Sequence, residues 1–197
     1  MRKIKREFEN PFDNILIDIC ELVSPFFHKL NFTPNGITTL SLITGLLSCY
    51  FLHKNSPYMS VSFLLLSYFF DCLDGFYARK YNMVTKFGDY YDHVKDLVVV
   101  ALLLYIMYTR NKHKLNRKEL IIFIFIFSIC MYIMKIHFSL QEIIYNRPEQ
   151  SGSLATASGR YVDTKEQAEE LVVYTRYLGN GTFTLLNMLA ILYLEFK

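Results

Sequence analysis

Long apolar runs alternate with short polar segments along most of the chain. Each run approaches the roughly twenty residues that a helix needs to cross the hydrocarbon core of a bilayer. The runs cover residues 36–52, 57–73, 91–108, 120–138 and 171–196. Because the last run is interrupted by Arg176 and by residues 179–181, it is either one kinked span or a short helix followed by a span from Thr182. The pattern predicts an all-α fold, a polytopic transmembrane helix bundle.

The N-terminal part has a different pattern. Between residues 14 and 30, apolar side chains recur at helical spacing, but acidic residues such as Asp18 and Glu21 interrupt them. This predicts an amphipathic helix in the membrane interface, and a helix packed on the bundle fits equally well. No apolar core of signal-peptide length follows the basic start, so we expect no cleaved targeting segment. We interpret the chain as one domain with three parts: an arm and interfacial helix (1–35), a membrane bundle (36–197) and, within it, a polar loop (146–170).

Composition agrees with one membrane-embedded domain. Of the 197 residues, 52% are hydrophobic and 16% are aromatic, and the mean hydropathy is +0.20. The formal net charge is only +3, and the basic residues cluster outside the apolar runs rather than between aromatic side chains, which argues against nucleic-acid binding. The four cysteines form no C-x-x-C pair, so we expect them to be reduced packing residues.

The chemistry of the chain is concentrated in one acidic stretch, which reads D-x2-D-G-x2-A-R-x8-G-x3-D-x3-D. Its aspartates lie where apolar runs meet polar sequence, and ionisable groups at a membrane edge mark a functional site. Asp71 and Asp74 are three residues apart, so they share one face of a helix. The same holds for Asp92 and Asp96, which are four residues apart. If residues 75–88 reverse the chain, the two pairs face a common point.

Up to four negative charges this close together cannot all remain ionised without counter-charge. Divalent cations supply that charge, and an all-oxygen ligand set suits hard ions such as Mg²⁺ or Mn²⁺. Two such ions would balance the formal charge and would hold a pyrophosphate while one aspartate activates an acceptor hydroxyl. A structural interpretation, in which the acids cap helices at the water boundary, accounts for one acid rather than four on converging faces.

This stretch resembles the signature of the class I CDP-alcohol phosphotransferases, integral membrane enzymes that make phospholipid head-group linkages. Every fixed position is present at the family's spacing: Asp71, Asp74, Gly75, Ala78, Arg79, Gly88, Asp92 and Asp96. The resemblance implies that Asp71, Asp74 and Asp92 ligate the metal ions that hold the CDP-linked donor. It also implies that Asp96 binds metal and acts as the general base.

The resemblance further implies a surface for the nucleotide of the donor. Four motif residues would line it: Gly75, Ala78, Arg79 and Gly88. The small residues would let the nucleotide approach the backbone, and Arg79 would offer charge-assisted hydrogen bonds to phosphate. A threonine-proline-asparagine segment before the first span is similar to one in the family, which makes Asn35 and Thr38 candidates for donor contact. Capping and packing roles fit these two residues equally well.

Two cations within the apolar runs, Lys135 and Arg176, are candidates for binding a phosphate on the acceptor alcohol. Snorkelling of these long side chains toward lipid headgroups explains them equally well. The family usually shows six spans, whereas the apolar pattern gives five, so we predict five to six. The resemblance also suggests a homodimer.

The resulting hypothesis is a metal-dependent transferase that displaces CMP from a CDP-activated donor at the bilayer surface. The donor would be CDP-diacylglycerol with a small polar alcohol as acceptor, or CDP-choline or CDP-ethanolamine with diacylglycerol as acceptor. An inactive family member acting as a membrane scaffold and a divalent-cation transporter are the alternatives. The distribution of lysine and arginine over the loops predicts a multi-pass protein whose active site faces the cytosol.

Overall fold

The computed structural model describes residues 1–145, Val162 and residues 164–196, and these parts are almost entirely helical. The described α-helices are α1 (Pro11–Lys29), α2 (Pro34–His53), α3 (Pro57–Lys80), α4 (Lys86–Asn111), α5 (Arg117–Tyr145), α6 (Lys165–Thr175) and α7 (Asn180–Phe196). Short 3₁₀ helices cover Arg6–Phe8 and Arg176–Leu178. Within these ranges there is no strand, so the predicted all-α fold is confirmed.

Several of the described helices are long and apolar enough to cross a membrane. Four such segments occur: Pro34–His53, Pro57–Lys80, Arg117–Tyr145 and Lys165–Glu195. Helix α5 has the highest mean hydropathy of these, 2.3, and only 6% of its apolar window is buried within the protein, as expected for a helix surrounded by lipid. Helix α4 is 26 residues long but carries charged residues along its first half and is not among the four, so its crossing of the membrane stays a prediction.

Three turns between helices are built in the same way. Each places an asparagine in the left-handed conformation just after a helix: Asn31, Asn55 and Asn82, with φ of 56°, 59° and 54°. After α3, the N–H of Met83 donates to the carbonyl of Ala78 at 2.8 Å, the hydrogen bond that closes a Schellman motif. Thr85 then caps α4 by accepting from the N–H of Gly88 at 3.0 Å. The chain therefore reverses over residues 81–85, and α3 runs straight through the earlier part of the segment expected to form the turn.

The chain forms two compact units. The first comprises Met1, Leu16–Asn116 and Thr184–Lys197. In it, α2 and α3 pack closely through small polar residues, since Ser41 Oγ donates to the carbonyl of Ser67 at 2.9 Å and Ser67 Oγ donates to that of Ser41 at 2.8 Å. Helix α4 approaches α2 just as closely, because a Cβ added at Gly45 would lie 2.8 Å from the side chain of Val99. Small residues on α2 thus allow both α3 and α4 to pack closely against it.

Helix α1 packs one face on the first unit and exposes the other. Ile17 and Cys20 join the buried core of that unit, and burial raises the pKa of the Cys20 thiol to about 12, which keeps it protonated. The exposed face carries an apolar stripe that includes Leu22 and Phe26, exposed by 81% and 61%. Such a stripe suits a membrane interface, and the position of α1 in the interface stays a prediction.

The second unit comprises Arg2–Ile15 and Arg117–Phe183. Its buried core consists of Ile4, Phe8, Leu140, Ile144, Val162, Ala168 and Val172. Helix α6 begins inside the stretch predicted as a polar loop, so that prediction is wrong from Lys165 onward. Thr164 starts the helix by accepting from the N–H of Gln167 at 3.3 Å, and Ala168 and Val172 lie one turn apart on its buried face. The rest of the predicted loop, residues 146–161 and 163, lies outside the described residues.

Candidate active site

The four aspartates of the acidic motif lie on two neighbouring helices of the first unit. Asp71 and Asp74 belong to the C-terminal half of α3, and Asp92 and Asp96 to the N-terminal half of α4. Because the chain reverses between these helices, carboxylate oxygens of Asp71, Asp92 and Asp96 all lie within 4.8 Å of one another. Three of the four predicted metal ligands therefore meet at one point.

Asp74, the fourth predicted ligand, is held slightly apart from this group. Its side chain is buried, and Thr38 Oγ1 donates a hydrogen bond to its Oδ2 at 2.6 Å. Asp74 is not among the three residues whose oxygens converge, although it interacts electrostatically with Asp92 and Asp71. Thr38 is itself only 2% exposed, so in this structure it contacts a motif aspartate from within the bundle.

A buried lysine occupies the centre of the carboxylate group. The Nζ atom of Lys95 lies 2.8 Å from Asp96 Oδ1 and 3.1 Å from Asp92 Oδ1, and it also pairs with Asp71 Oδ1. A hydrogen bond to Ser41 Oγ at 3.1 Å connects the same ammonium to α2. Sequence reasoning missed Lys95, although its spacing of three residues from Asp92 placed it on the acidic face of α4.

The oxygen ligands fit a divalent metal ion. The exposed fraction of the side chain rises from 14% for Asp71 through 30% for Asp92 to 50% for Asp96. Within the described part of the chain, no group donates a hydrogen bond to the buried Asp92 Oδ1, which lies 3.1 Å from the Lys95 ammonium in an ion pair. A buried oxygen of this kind, beside two further carboxylates, suits a hard cation such as Mg²⁺ or Mn²⁺.

The predicted donor-binding residues belong to α2, α3 and α4, the helices that carry Ser41, the aspartates and Lys95. A Cβ added at Gly75 would lie 3.1 Å from Nη1 of Arg79, so the guanidinium lies against the glycine backbone. Arg79 Nε donates to the carbonyl of Met1 at 2.9 Å. A Cβ added at Gly88 would lie 2.9 Å from Oδ1 of Asn35, so these two predicted residues are in contact. Ala78, the remaining small residue of the motif, is half-buried on α3.

The two candidates for binding an acceptor phosphate belong to the second unit. Lys135 is exposed on α5. The guanidinium of Arg176 donates to the carbonyl of Glu7 and, at 2.7 Å, to the hydroxyl of Tyr177, and it lies 4.8 Å from the centre of that ring. Arg176 Nε is buried, and none of the residues that the structure describes accepts a hydrogen bond from it. An acceptor role for either residue stays a prediction.

The fold and the site together define a helical membrane protein with an acidic cluster suited to divalent cations. The chain belongs to the CDP-alcohol phosphatidyltransferase family, whose profile matches residues 31–194. The matched range contains the whole acidic motif, so the resemblance seen in the sequence is confirmed.

Three relatives show how the similarity is distributed. A protein of Aquifex aeolicus described as uncharacterized is 37% identical over 85 residues, which cover 42% of this chain and 43% of that protein. CDP-diacylglycerol–inositol 3-phosphatidyltransferases of Candida albicans and Saccharomyces cerevisiae are 37% identical over 84 residues and 41% identical over 69 residues. These matches cover 40% and 35% of this chain, and 36% and 31% of the respective enzymes. The chain thus spans less than half the length of the curated relatives it matches, and no solved structure matches it.

Proposed function

We propose that this protein transfers a substituted phosphate group from a CDP-alcohol to an acceptor alcohol, with release of CMP, as a step of phospholipid synthesis. The observation that carries the proposal is the convergence of Asp71, Asp92 and Asp96 within 4.8 Å, inside the complete family motif. Membership of the family supports the reaction class. A cation transporter would not require the remaining motif positions, and a complete motif argues for catalytic competence over an inactive scaffold.

The aspartates would hold two divalent ions, Mg²⁺ or Mn²⁺, which when bound neutralise the pyrophosphate of the donor. Asp71, Asp74 and Asp92 are the proposed ligands, joined by Asp96. Arg79 would add charge-assisted hydrogen bonds to phosphate. Asn35 and Gly88, which are in contact, would border the nucleotide together with Gly75 and Ala78.

Asp96 is the proposed general base. Its side chain is the most exposed of the three converging carboxylates, which gives an incoming hydroxyl the best access to it. The acceptor oxygen attacks the phosphorus bonded to the donor's alcohol, and the hydroxyl proton passes to the Asp96 carboxylate. The bond from that phosphorus to the bridging oxygen of the pyrophosphate breaks, and CMP leaves with the bonding electrons.

For the substrates, we propose CDP-diacylglycerol as donor and inositol as acceptor. Two of the relatives are named for this pair of substrates, and their similarity to this chain reaches 37% and 41% identity. CDP-choline or CDP-ethanolamine with diacylglycerol uses the same reaction centre and remains the second substrate set to be tested. We further propose a multi-pass protein whose active site faces the cytosol.

The test measures CMP release by the purified protein in lipid with Mg²⁺ or Mn²⁺. The donors are CDP-diacylglycerol, paired with inositol, serine, glycerol 3-phosphate or inositol phosphate, and CDP-choline or CDP-ethanolamine, paired with diacylglycerol. We expect release with CDP-diacylglycerol and inositol and its loss in Asp96→Asn. Asp89→Asn is the matched control, because Asp89 lies in the first turn of the same helix, at a variable position of the motif.

Each outcome separates the alternatives. Release with a different substrate pair, lost in Asp96→Asn, would keep the reaction and change the substrates. Binding of CDP-alcohol without CMP release from any pair would favour the scaffold. Metal flux into sealed vesicles without nucleotide dependence would favour the transporter. Equal losses of CMP release in Asp96→Asn and Asp89→Asn would contradict the proposal that Asp96 is the general base.

A further inference from the structure

The chemistry proposed above gives Lys95 no role, although its ammonium lies among the carboxylates. Its side chain is 1% exposed. Three carboxylates surround the nitrogen, with contacts of 2.8 Å to Asp96 and 3.1 Å to Asp92 besides the pair with Asp71. The hydroxyl of Ser41 completes the surroundings at 3.1 Å. Lys95 does not snorkel to the surface, which is the usual behaviour of a lysine near a membrane boundary.

The position of this ammonium is determined by three helices. Lys95 projects from α4, Asp71 from α3 and Ser41 from α2. Ser41 is itself fixed, because its hydroxyl also contacts the carbonyl of Ser67 at 2.9 Å. A buried ammonium is costly unless charges and hydrogen bonds compensate it, and these partners provide both.

We propose that Lys95 is a positioning residue that acts as a built-in counter-ion. It holds the carboxylates of Asp71, Asp92 and Asp96 together in the metal-free protein, and a divalent metal ion competes with it for the same oxygens. The inference rests on the metal-binding part of the proposed function. It assigns to a variable position of the family motif a residue that sets how tightly the metal is bound.

Two effects of opposite sign distinguish this role from a merely structural one. Without the ammonium, the carboxylates of the metal-free protein repel one another, so the folded state becomes less stable. The same carboxylates then bind a divalent ion more tightly, because a neighbouring positive charge no longer repels it. A lysine that only supports packing would lower stability and would leave metal affinity unchanged or weaker.

The experiment compares the wild type with Lys95→Met, which keeps the length of the side chain and removes its charge. Mn²⁺ binding is followed by the electron paramagnetic resonance signal of free Mn²⁺, and thermal unfolding is measured with and without Mn²⁺. We expect Lys95→Met to bind Mn²⁺ on the order of tenfold more tightly or better. We also expect a lower Tm without metal, which Mn²⁺ raises more than in the wild type. Lys86→Met is the matched control, since Lys86 is exposed on the same helix.

Unchanged or weaker Mn²⁺ binding by Lys95→Met, or an equal gain in Lys86→Met, would overturn the proposal. If Lys95→Met does not fold, Asp71→Asn combined with Lys95→Met removes one charge of each sign and should recover the fold and most of the Tm. Failure of the double variant, with Asp71→Asn alone folded, would show that Lys95 is not balancing Asp71.

The outcome also separates this inference from the proposed function. CMP release by a wild type that binds Mn²⁺, without tighter binding in Lys95→Met, would keep the function and reject the counter-ion. If neither the wild type nor the variant binds Mn²⁺, the metal has no place in the proposed function. Competition between the metal and Lys95 for the carboxylates would then be rejected as well. The Tm values of the metal-free proteins would still test whether Lys95 balances the charge of the carboxylates, because Lys95→Met should have the lower Tm.

Discussion

At the scale of single residues, each of the two motif carboxylates on α3 is held by a partner on another helix. Thr38 on α2 donates to Asp74 on α3, and Lys95 on α4 pairs with Asp71 on α3. A buried carboxylate is costly without such partners, so these contacts determine where its oxygens lie. The geometry of the candidate site therefore depends on Thr38 and Lys95 as well as on the aspartates.

Replacing Thr38 by valine tests this dependence. Thr38→Val keeps the shape of the side chain and removes the hydroxyl that donates to Asp74. Hydrogen bonds to charged groups contribute about 1.5–3 kcal/mol, and water cannot replace this donor because Asp74 is only 6% exposed. We expect CMP release to fall about tenfold or more in steady-state kinetics. Circular dichroism should show an unchanged helical content.

Thr44→Val is the matched control for that experiment. Thr44 is also buried in α2, and its hydroxyl donates to carbonyls of its own helix, those of Leu40 at 2.7 Å and Ser41 at 3.0 Å. The Thr44→Val variant should therefore keep most of its CMP release. Equal losses in the two variants, or full activity of Thr38→Val, would show that Thr38 does not position Asp74.

The aspartates of the candidate site were easier to find from the sequence than the residues that hold them in place. The aspartates form a local pattern whose spacing of three or four residues puts each pair on one helix face. The hydrogen bond between Thr38 and Asp74 depends on how α2 packs on α3. This packing joins residues that are far apart in the sequence, so a local sequence pattern does not predict it. Lys95 was visible in principle from its spacing to Asp92, but a lysine beside acids is usually solvated, and only its burial distinguishes it.

At the scale of elements, the asparagine turns determine how neighbouring helices meet. Asn82 ends α3 and directs the chain into α4, which brings Asp71 close to Asp92 and Asp96. The sequence predicted a reversal within residues 75–88; it occurs over residues 81–85, and α3 continues through Gly75. A glycine on a helix face can serve close packing instead of a turn, and Gly75 lies against the guanidinium of Arg79.

Asn82→Ala should destabilise the protein and impair its activity. Left-handed backbone costs residues other than glycine roughly 1–2 kcal/mol, and asparagine tolerates it better than alanine does. We expect a loss of about 1 kcal/mol in the free energy of unfolding, and slower CMP release because the turn between α3 and α4 loosens. Asn82→Gly, which relieves the strain, should restore stability. Chemical denaturation and kinetics measure the two effects.

Asn55→Ala supplies the control, because Asn55 has the same conformation after α2, outside the acidic motif. Its stability should fall by a similar amount, with activity of the folded protein retained. The link between the turn and the site would be refuted by an equal loss of activity in Asn55→Ala. Unchanged stability in Asn82→Ala would refute the strain argument.

A second element-scale prediction concerns the start of α1 in the second unit. Asn10 is 1% exposed and donates to the carbonyl of Arg176 at 2.7 Å and to Thr182 Oγ1 at 2.8 Å, while its own Oδ1 accepts from the N–H of Phe12 at 2.9 Å. Asn10→Ala leaves these three backbone and hydroxyl groups in the protein interior without the hydrogen bonds that Asn10 makes with them. We expect a loss of about 1–3 kcal/mol in the free energy of unfolding, measured by denaturation in detergent.

Asn14→Ala is the comparison for Asn10→Ala. Asn14 lies one turn further along α1, is less buried, and contacts Arg2 and Arg6. Asn14→Ala should lower the free energy of unfolding clearly less than Asn10→Ala does. A similar cost for both variants would mean that the buried bonds of Asn10 do not stabilise the break between α6 and α7.

At the scale of the whole molecule, apolar runs predicted the helices well but left the number of membrane crossings open. Four described segments have the length and composition of spans, and α4 is not among them, since its first half carries several charged residues. The charges that lower the hydropathy of α4 are those of the candidate site. Hydropathy therefore underestimates a helix that carries functional charges, and the direction of α4 must be tested separately.

Labelling of two loops decides whether α4 crosses the membrane and which way it runs. In a cysteine-free background, Met83→Cys marks the turn before α4 and His113→Cys marks the segment after it; both residues are exposed. Sealed vesicles with the cytosolic face outward are treated with a membrane-impermeant maleimide. If α4 crosses and the site faces the cytosol, Met83→Cys reacts at once and His113→Cys reacts after permeabilisation. The reverse order would place the site on the other face, and immediate reaction of both would mean that α4 does not cross.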